Sequence, residues 1–92
     1  MHRNKVVLAT HNAGKLRELR ALLSETDLEC KSLAEYQVPE IPENGQTFFE
    51  NALIKARNAC RYSGLPSIAD DSGLEINYLN LYKKIQLIYI FL

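Results

Sequence analysis

The chain has 92 residues, 47% of them hydrophobic and 24% charged, a composition that fits a soluble globular protein with one small core. Its 11 Lys and Arg balance its 11 Asp and Glu, so it lacks the basic field that grips a nucleic-acid polymer. His2 and His11 are the only histidines, and with Cys30 and Cys60 far apart no zinc pattern can be assembled.

Only four apolar residues follow Met1 to Lys5, too few for a signal peptide, and Leu87 to Leu92 is too short to span a membrane. We expect a cytoplasmic protein with reduced cysteines and no membrane partner. The apolar run Val6-Val7-Leu8-Ala9 reads as a strand, Thr10 to Lys15 as a tight polar loop, and the pattern from about Leu16 as a helix. Such a junction aims backbone N–H groups and the positive end of a helix dipole at one point, where anions collect.

Lys15 is disfavoured at a helix start unless an anion lies beside it. The loop is not a Walker A motif, which needs Gly where Ala9 stands and Ser or Thr where Leu16 stands. Taken alone it reads equally as an ordinary turn, with Asn12 as N-cap and Gly14 for close packing.

Leu16, Leu19, Leu22 and Leu23 recur at helical spacing and predict an amphipathic helix laid on a sheet. Ser24 to Asp27 break it, and Leu28 to Leu33 is a short strand with partial alternation. Glu35 to Gly45, with Pro39, Pro42 and acidic side chains, is an irregular exposed loop of the kind that carries function.

Thr47-Phe48-Phe49-Glu50 matches a capping box, in which Glu50 reaches back to the N–H of the cap residue. The helix that follows stops at Gly64, with Pro66 just beyond. Its apolar stripe is Phe49, Ala52, Leu53, Ala56, Ala59 and Cys60, and Phe48 is also expected to pack inward. Asn51, Lys55, Asn58 and Tyr62 form a polar face that is either solvated or lines a site.

Ser67-Ile68-Ala69 returns to the sheet and delivers Asp70-Asp71-Ser72 to the edge where α/β folds bind ligands. The alternation of strands and helices favours an α/β fold of strand-loop-helix units. From Asn77 to Leu92 the composition narrows to Asn, Tyr, Leu, Lys, Ile, Gln and Phe, read as a terminal strand or helix. Gln86 to Leu92 is β-prone and uncharged, which favours poor solubility.

Three segments close the pattern: Ala9 to Lys15, Asn44 to Ala56, and Ala69 to Leu74. In this order they closely resemble the motifs of the XTP/dITP pyrophosphatases, the inosine triphosphate pyrophosphatase family, over residues 5 to about 76. The resemblance implies a truncated form of that α/β fold, built on a mixed sheet. It implies a Mg²⁺-dependent hydrolase that cleaves deaminated purine nucleoside triphosphates (ITP, dITP, XTP) to the monophosphate and pyrophosphate, sanitising the nucleotide pool.

By position, the family assigns substrate binding to Thr10, His11, Asn12, Ala13, Gly14, Lys15, Lys55 and Ser72. It assigns the metal to Glu43 and Asp71, with Asp71 also the proton acceptor, and its members are homodimers. His11 stands where the family loop often has Gly, and Asn44 where Thr is common. Residues 1–76 are expected to form the amino-terminal part of the domain, and 77–92 a divergent tail produced by a frameshift or early stop. The alternative function is that of a catalytically inactive fragment. A haloacid-dehalogenase-like phosphatase is disfavoured because Asp70 and Asp71 are adjacent, not two residues apart.

Overall fold

The computed structural model describes residues 4–70 and the backbone of three further strands, 73–76, 81–84 and 87–90. In chain order the elements are β1 (Asn4–Leu8), α1 (Ala13–Leu22), β2 (Leu28–Ser32), a 3₁₀ turn (Leu33–Tyr36), α2 (Phe48–Ser63), β3 (Ser67–Asp70), β4 (Gly73–Ile76), β5 (Leu81–Lys84) and β6 (Leu87–Ile90). One sheet runs β2-β1-β3-β6 and is mixed, and β4 and β5 form a separate antiparallel ribbon. β1 pairs in parallel with β2 and β3, while β6 lies antiparallel to β3 with Ser67 opposite Ile90.

β1 is buried on both faces, which is why its apolar residues are consecutive rather than alternating. Val6 and Leu8 join Leu19 and Ile68 on one side, with Leu16 and Leu23 of the α1 region packed against them. Val7 and Ala9 face the other way, into Ala52, Ala56 and Ala59 of α2 and Leu33, Val38 and Ala69. The alanines bring the α2 backbone close to the sheet. Each fully buried Val or Leu contributes about 1.5–3 kcal/mol, so β1 with its two flanking helices is the main source of stability.

The ends of α2 follow the sequence. Thr47 Oγ1 accepts from the Glu50 N–H at 3.0 Å, and Gly64 closes the helix at φ 72°, a conformation that favours glycine. The expected capping box is shifted by one residue, because Glu50 Oε2 accepts from the N–H of Gln46, at 2.7 Å, rather than from Thr47. α1 begins at Ala13, three residues before its first leucine, capped by Asn12 Oδ1 accepting from the Lys15 N–H at 3.0 Å.

Three apolar expectations are corrected. Leu22 is 54% exposed, lying at the edge of the stripe that Leu16, Leu19 and Leu23 turn to the sheet. Phe48 and Phe49 are 65% and 52% exposed, because the first turn of α2 extends past the packed alanines. The expected strand at residues 28–33 ends at Ser32, where the 3₁₀ turn takes over. There the Ser32 N–H, 2.7 Å from Glu35 Oε2, together with nearby Lys31, holds the Glu35 carboxyl below the usual carboxylate range. Cys30 and Cys60 are both free thiols. Among the described residues no helix is long and apolar enough to cross a membrane.

Candidate active site at the carboxyl end of the central strand

β1 lies between β2 and β3, so the chain leaves it toward one neighbour and later returns on the other side. The carboxyl end of such a strand opens a crevice between the connections, the usual ligand position in α/β sheets. Here the crevice is a cleft of about 870 Å³. Its lining includes Thr10, His11, Asn12 and Lys15 from the loop after β1, Glu40 and Glu43 from the acidic loop, Asn51, Lys55 and Asn58 from α2, and Asp70 at the end of β3.

Thr10, His11, Asn12, Lys15, Glu43 and Lys55 are therefore brought together along one cleft. Ala13 and Gly14 do not line the cleft, although they occupy the first turn of α1, where N–H groups have no intrahelical partner. A Cβ on Gly14 would stand 3.3 Å from Asn12 Oδ1, so the glycine keeps the capping side chain uncrowded. Asp71 and Ser72 lie outside the described residues.

The loop is internally braced. Thr10 Oγ1 accepts from the Asn12 N–H at 3.1 Å, and the Ala9 N–H donates to the Ile68 carbonyl at 2.8 Å, tying the loop to β3. His11 avoids positive φ, so it stands in place of a glycine without backbone strain. Its ring donates Nε2–H to the Val38 carbonyl at 3.1 Å.

Lys15 finds anions within the protein. Its Nζ stands 3.0 Å from Asp70 Oδ2 and 3.8 Å from Glu18 Oε2, and Asp70 is only 6% exposed. This pairing offsets the cost of a cation at the start of α1 and joins that helix to the end of β3. Lys55 Nζ lies 3.8 Å from Glu43 Oε1, across the cleft wall. Both lysines thus reach the cleft while held by carboxylates.

The polar face of α2 is a site wall at three of its four positions: Asn51, Lys55 and Asn58 line the cleft, and Tyr62 is exposed. The site-lining alternative thus holds for Asn51 and Asn58, and Phe48, expected to pack inward, lines the cleft instead. The i, i+4, i+7 spacing was the available signal for the two asparagines.

Gly45 shows how tightly the acidic loop meets α2. A Cβ there would come within 2.6 Å of Glu50 Cβ and 2.8 Å of Asn51 Oδ1, closer than atoms can pack. Gly45→Ala is expected to destabilise the chain by about 1–3 kcal/mol, read as a lower urea midpoint. A shift below about 0.5 kcal/mol would show that the loop yields freely.

A family model described as the Ham1 family matches residues 6–86. The chain belongs to the Ham1 family. Among its Ham1 relatives, a dITP/XTP pyrophosphatase of Vibrio cholerae serotype O1 is 57% identical over 76 residues, covering 83% of this chain and 38% of the relative. A protein of the same description from Thioalkalivibrio sulfidiphilus is 55% identical over 76 residues, covering 83% and 39%. The solved structure of a HAM1 protein from Coxiella burnetii superposes with a TM-score of 0.70 at 48% identity, covering 77% of this chain and 36% of that one. The chain spans about 38% of the length of the first of these curated Ham1 relatives. The Ham1-like α/β fold on a mixed sheet expected from the motifs is the fold observed.

Proposed function

We propose that the cleft binds the triphosphate of a deaminated purine nucleotide (ITP, dITP or XTP), and that the chain hydrolyses it to nucleoside monophosphate and pyrophosphate. The observation that carries this reading is the convergence of Lys15 and Lys55, from two helices on opposite faces of the sheet, on one cleft at the end of β1. The relatives described as dITP/XTP pyrophosphatases support the substrate class. A homodimeric assembly and a cytoplasmic location, as the family resemblance implies, are part of the same proposal.

In this reading the substrate's phosphates displace the internal carboxylates as partners of Lys15 and Lys55. The two cations and the first-turn N–H groups of α1 offset the charge that develops on the phosphate oxygens. Asp71, by its place in the motif, takes a proton from the attacking water, and Ser72 holds substrate. The oxygen donors of the cleft suit Mg²⁺, which binds through one or two carboxylates together with substrate phosphates and water. Glu43 and Asp71 would hold it, and a bound Mg²⁺ supplies Lewis-acid polarisation of the phosphoryl oxygens.

The test is pyrophosphate release by the purified chain from ITP with Mg²⁺, using ATP and a no-enzyme sample as controls. Release from ITP well above both controls is expected. Release no faster than without enzyme would overturn the hydrolytic reading and leave a catalytically silent member of the family.

A further inference from the structure

The acidic loop from Val38 to Gln46 contains Pro39 and Pro42, which have no N–H to donate. Among the described residues, the hydrogen bonds made by the backbone of Pro39 to Gln46 all go to side chains. Those side chains come from one helix and in a definite order. Asn58 Nδ2 donates to the Pro39 carbonyl at 3.1 Å, Lys55 Nζ stands 3.8 Å from Glu43, and Asn51 Oδ1 accepts from the Gly45 N–H at 2.8 Å. One residue nearer the start of the helix, Glu50 takes the Gln46 N–H. The loop therefore runs antiparallel to α2 and is held to it at Pro39, Glu43, Gly45 and Gln46.

From the opposite wall His11 donates Nε2–H to the Val38 carbonyl, adjacent to the carbonyl that Asn58 holds. Val38 is itself buried in the α2-side core, so this end of the loop is fixed in three ways. Asn58 is nearly buried and its amide is spent on Pro39, which a solvated helix face would not require.

We propose that Asn51, Asn58 and His11 are positioning residues: they lay the acidic loop along α2 in a fixed register, so that Glu43 is presented to Lys55 and the cleft. His11 further couples this loop to the lysine-bearing loop, so that the two walls keep their spacing. The effect on activity rests on the pyrophosphatase reading; the brace itself does not.

The test is amide order parameters by ¹⁵N relaxation on the full 92-residue chain without nucleotide, comparing wild type with Asn58→Leu, Asn51→Leu and His11→Phe. In wild type the amides of Glu40, Ile41, Glu43 and Asn44 are expected near the rigid value of about 0.85, and in the variants below about 0.6, with α2 and β1 unchanged. Unchanged loop order parameters in folded variants would overturn the proposal. Should Asn58→Leu fail to fold, Asn51→Leu and His11→Phe, at less buried positions, give the same reading. The measurement involves no substrate, so its failure counts against the brace alone. If the chain hydrolyses ITP, the same variants should raise KM for Mg²⁺–ITP several-fold more than they lower kcat, a split that general loss of stability would not produce.

Discussion

Replacing Lys15 with methionine is expected to cost the protein twice. Met fills a similar volume, so what is lost is the charge and the bond to Asp70 Oδ2 at 3.0 Å. Asp70 is buried at the end of β3, and removing the cation from a buried carboxylate costs about 2–3 kcal/mol. For a chain whose total stability is of order 5–10 kcal/mol, that is a large fraction, visible as a lower denaturant midpoint. The second loss is one of the two cations aimed at the cleft, and deleting a single group of this kind commonly lowers rate about 10²–10³-fold. Unchanged stability would remove the ion pair from its structural role, and unchanged ITP turnover would remove Lys15 from the site.

Asp70 and Asp71 are neighbours in sequence, and their replacement should separate two functions. Asp71→Asn is expected to lower pyrophosphate release about 10²–10³-fold, because an amide cannot take the proton that the proposed mechanism assigns to that carboxylate. Asp70→Asn should instead act first on the fold, losing the charge partner of Lys15 while keeping an acceptor of the same shape, at a cost of about 1–2 kcal/mol. Urea unfolding and ITP turnover on both variants decide the matter. Near-full turnover by Asp71→Asn would remove it as proton acceptor, and an unaltered midpoint for Asp70→Asn would remove the structural role of Asp70.

Some of this architecture was legible in the residues and some was not, for reasons of range. The caps at Asn12, Thr47 and Gly64 are bonds between near neighbours, so the ends of α1 and α2 could be read locally. The run Val6 to Ala9 announced a strand, and its burial on both faces became visible only with the helices packed on either side. The pairing of Lys15 with Asp70 could not be read, because nothing near either residue specifies the other; only the parallel pairing of β1 with β3 brings them together. Phe48 was misread because an apolar residue at helical spacing reads the same over a sheet or over a cleft. Glu50 bonded one residue earlier than its motif suggests because the cap N–H and that of the residue before it are within similar reach.

The place of β1 in the sheet has a consequence for how the molecule comes into being. The strand is made before both of its flanking partners, Leu28–Ser32 and Ser67–Asp70. The β2 pairing closes a short loop, while the β3 pairing must wait for some sixty further residues and closes at a higher entropic cost. During synthesis or refolding, one edge of Val6-Val7-Leu8 stays open until that late step, and the cleft has no floor until it is complete. Non-local pairing of this kind folds slowly and is exposed to misassociation in the interval. The yield of folded chain should therefore be governed by the arrival of β3, and conditions that hold early intermediates apart, such as low concentration or low temperature, should raise it.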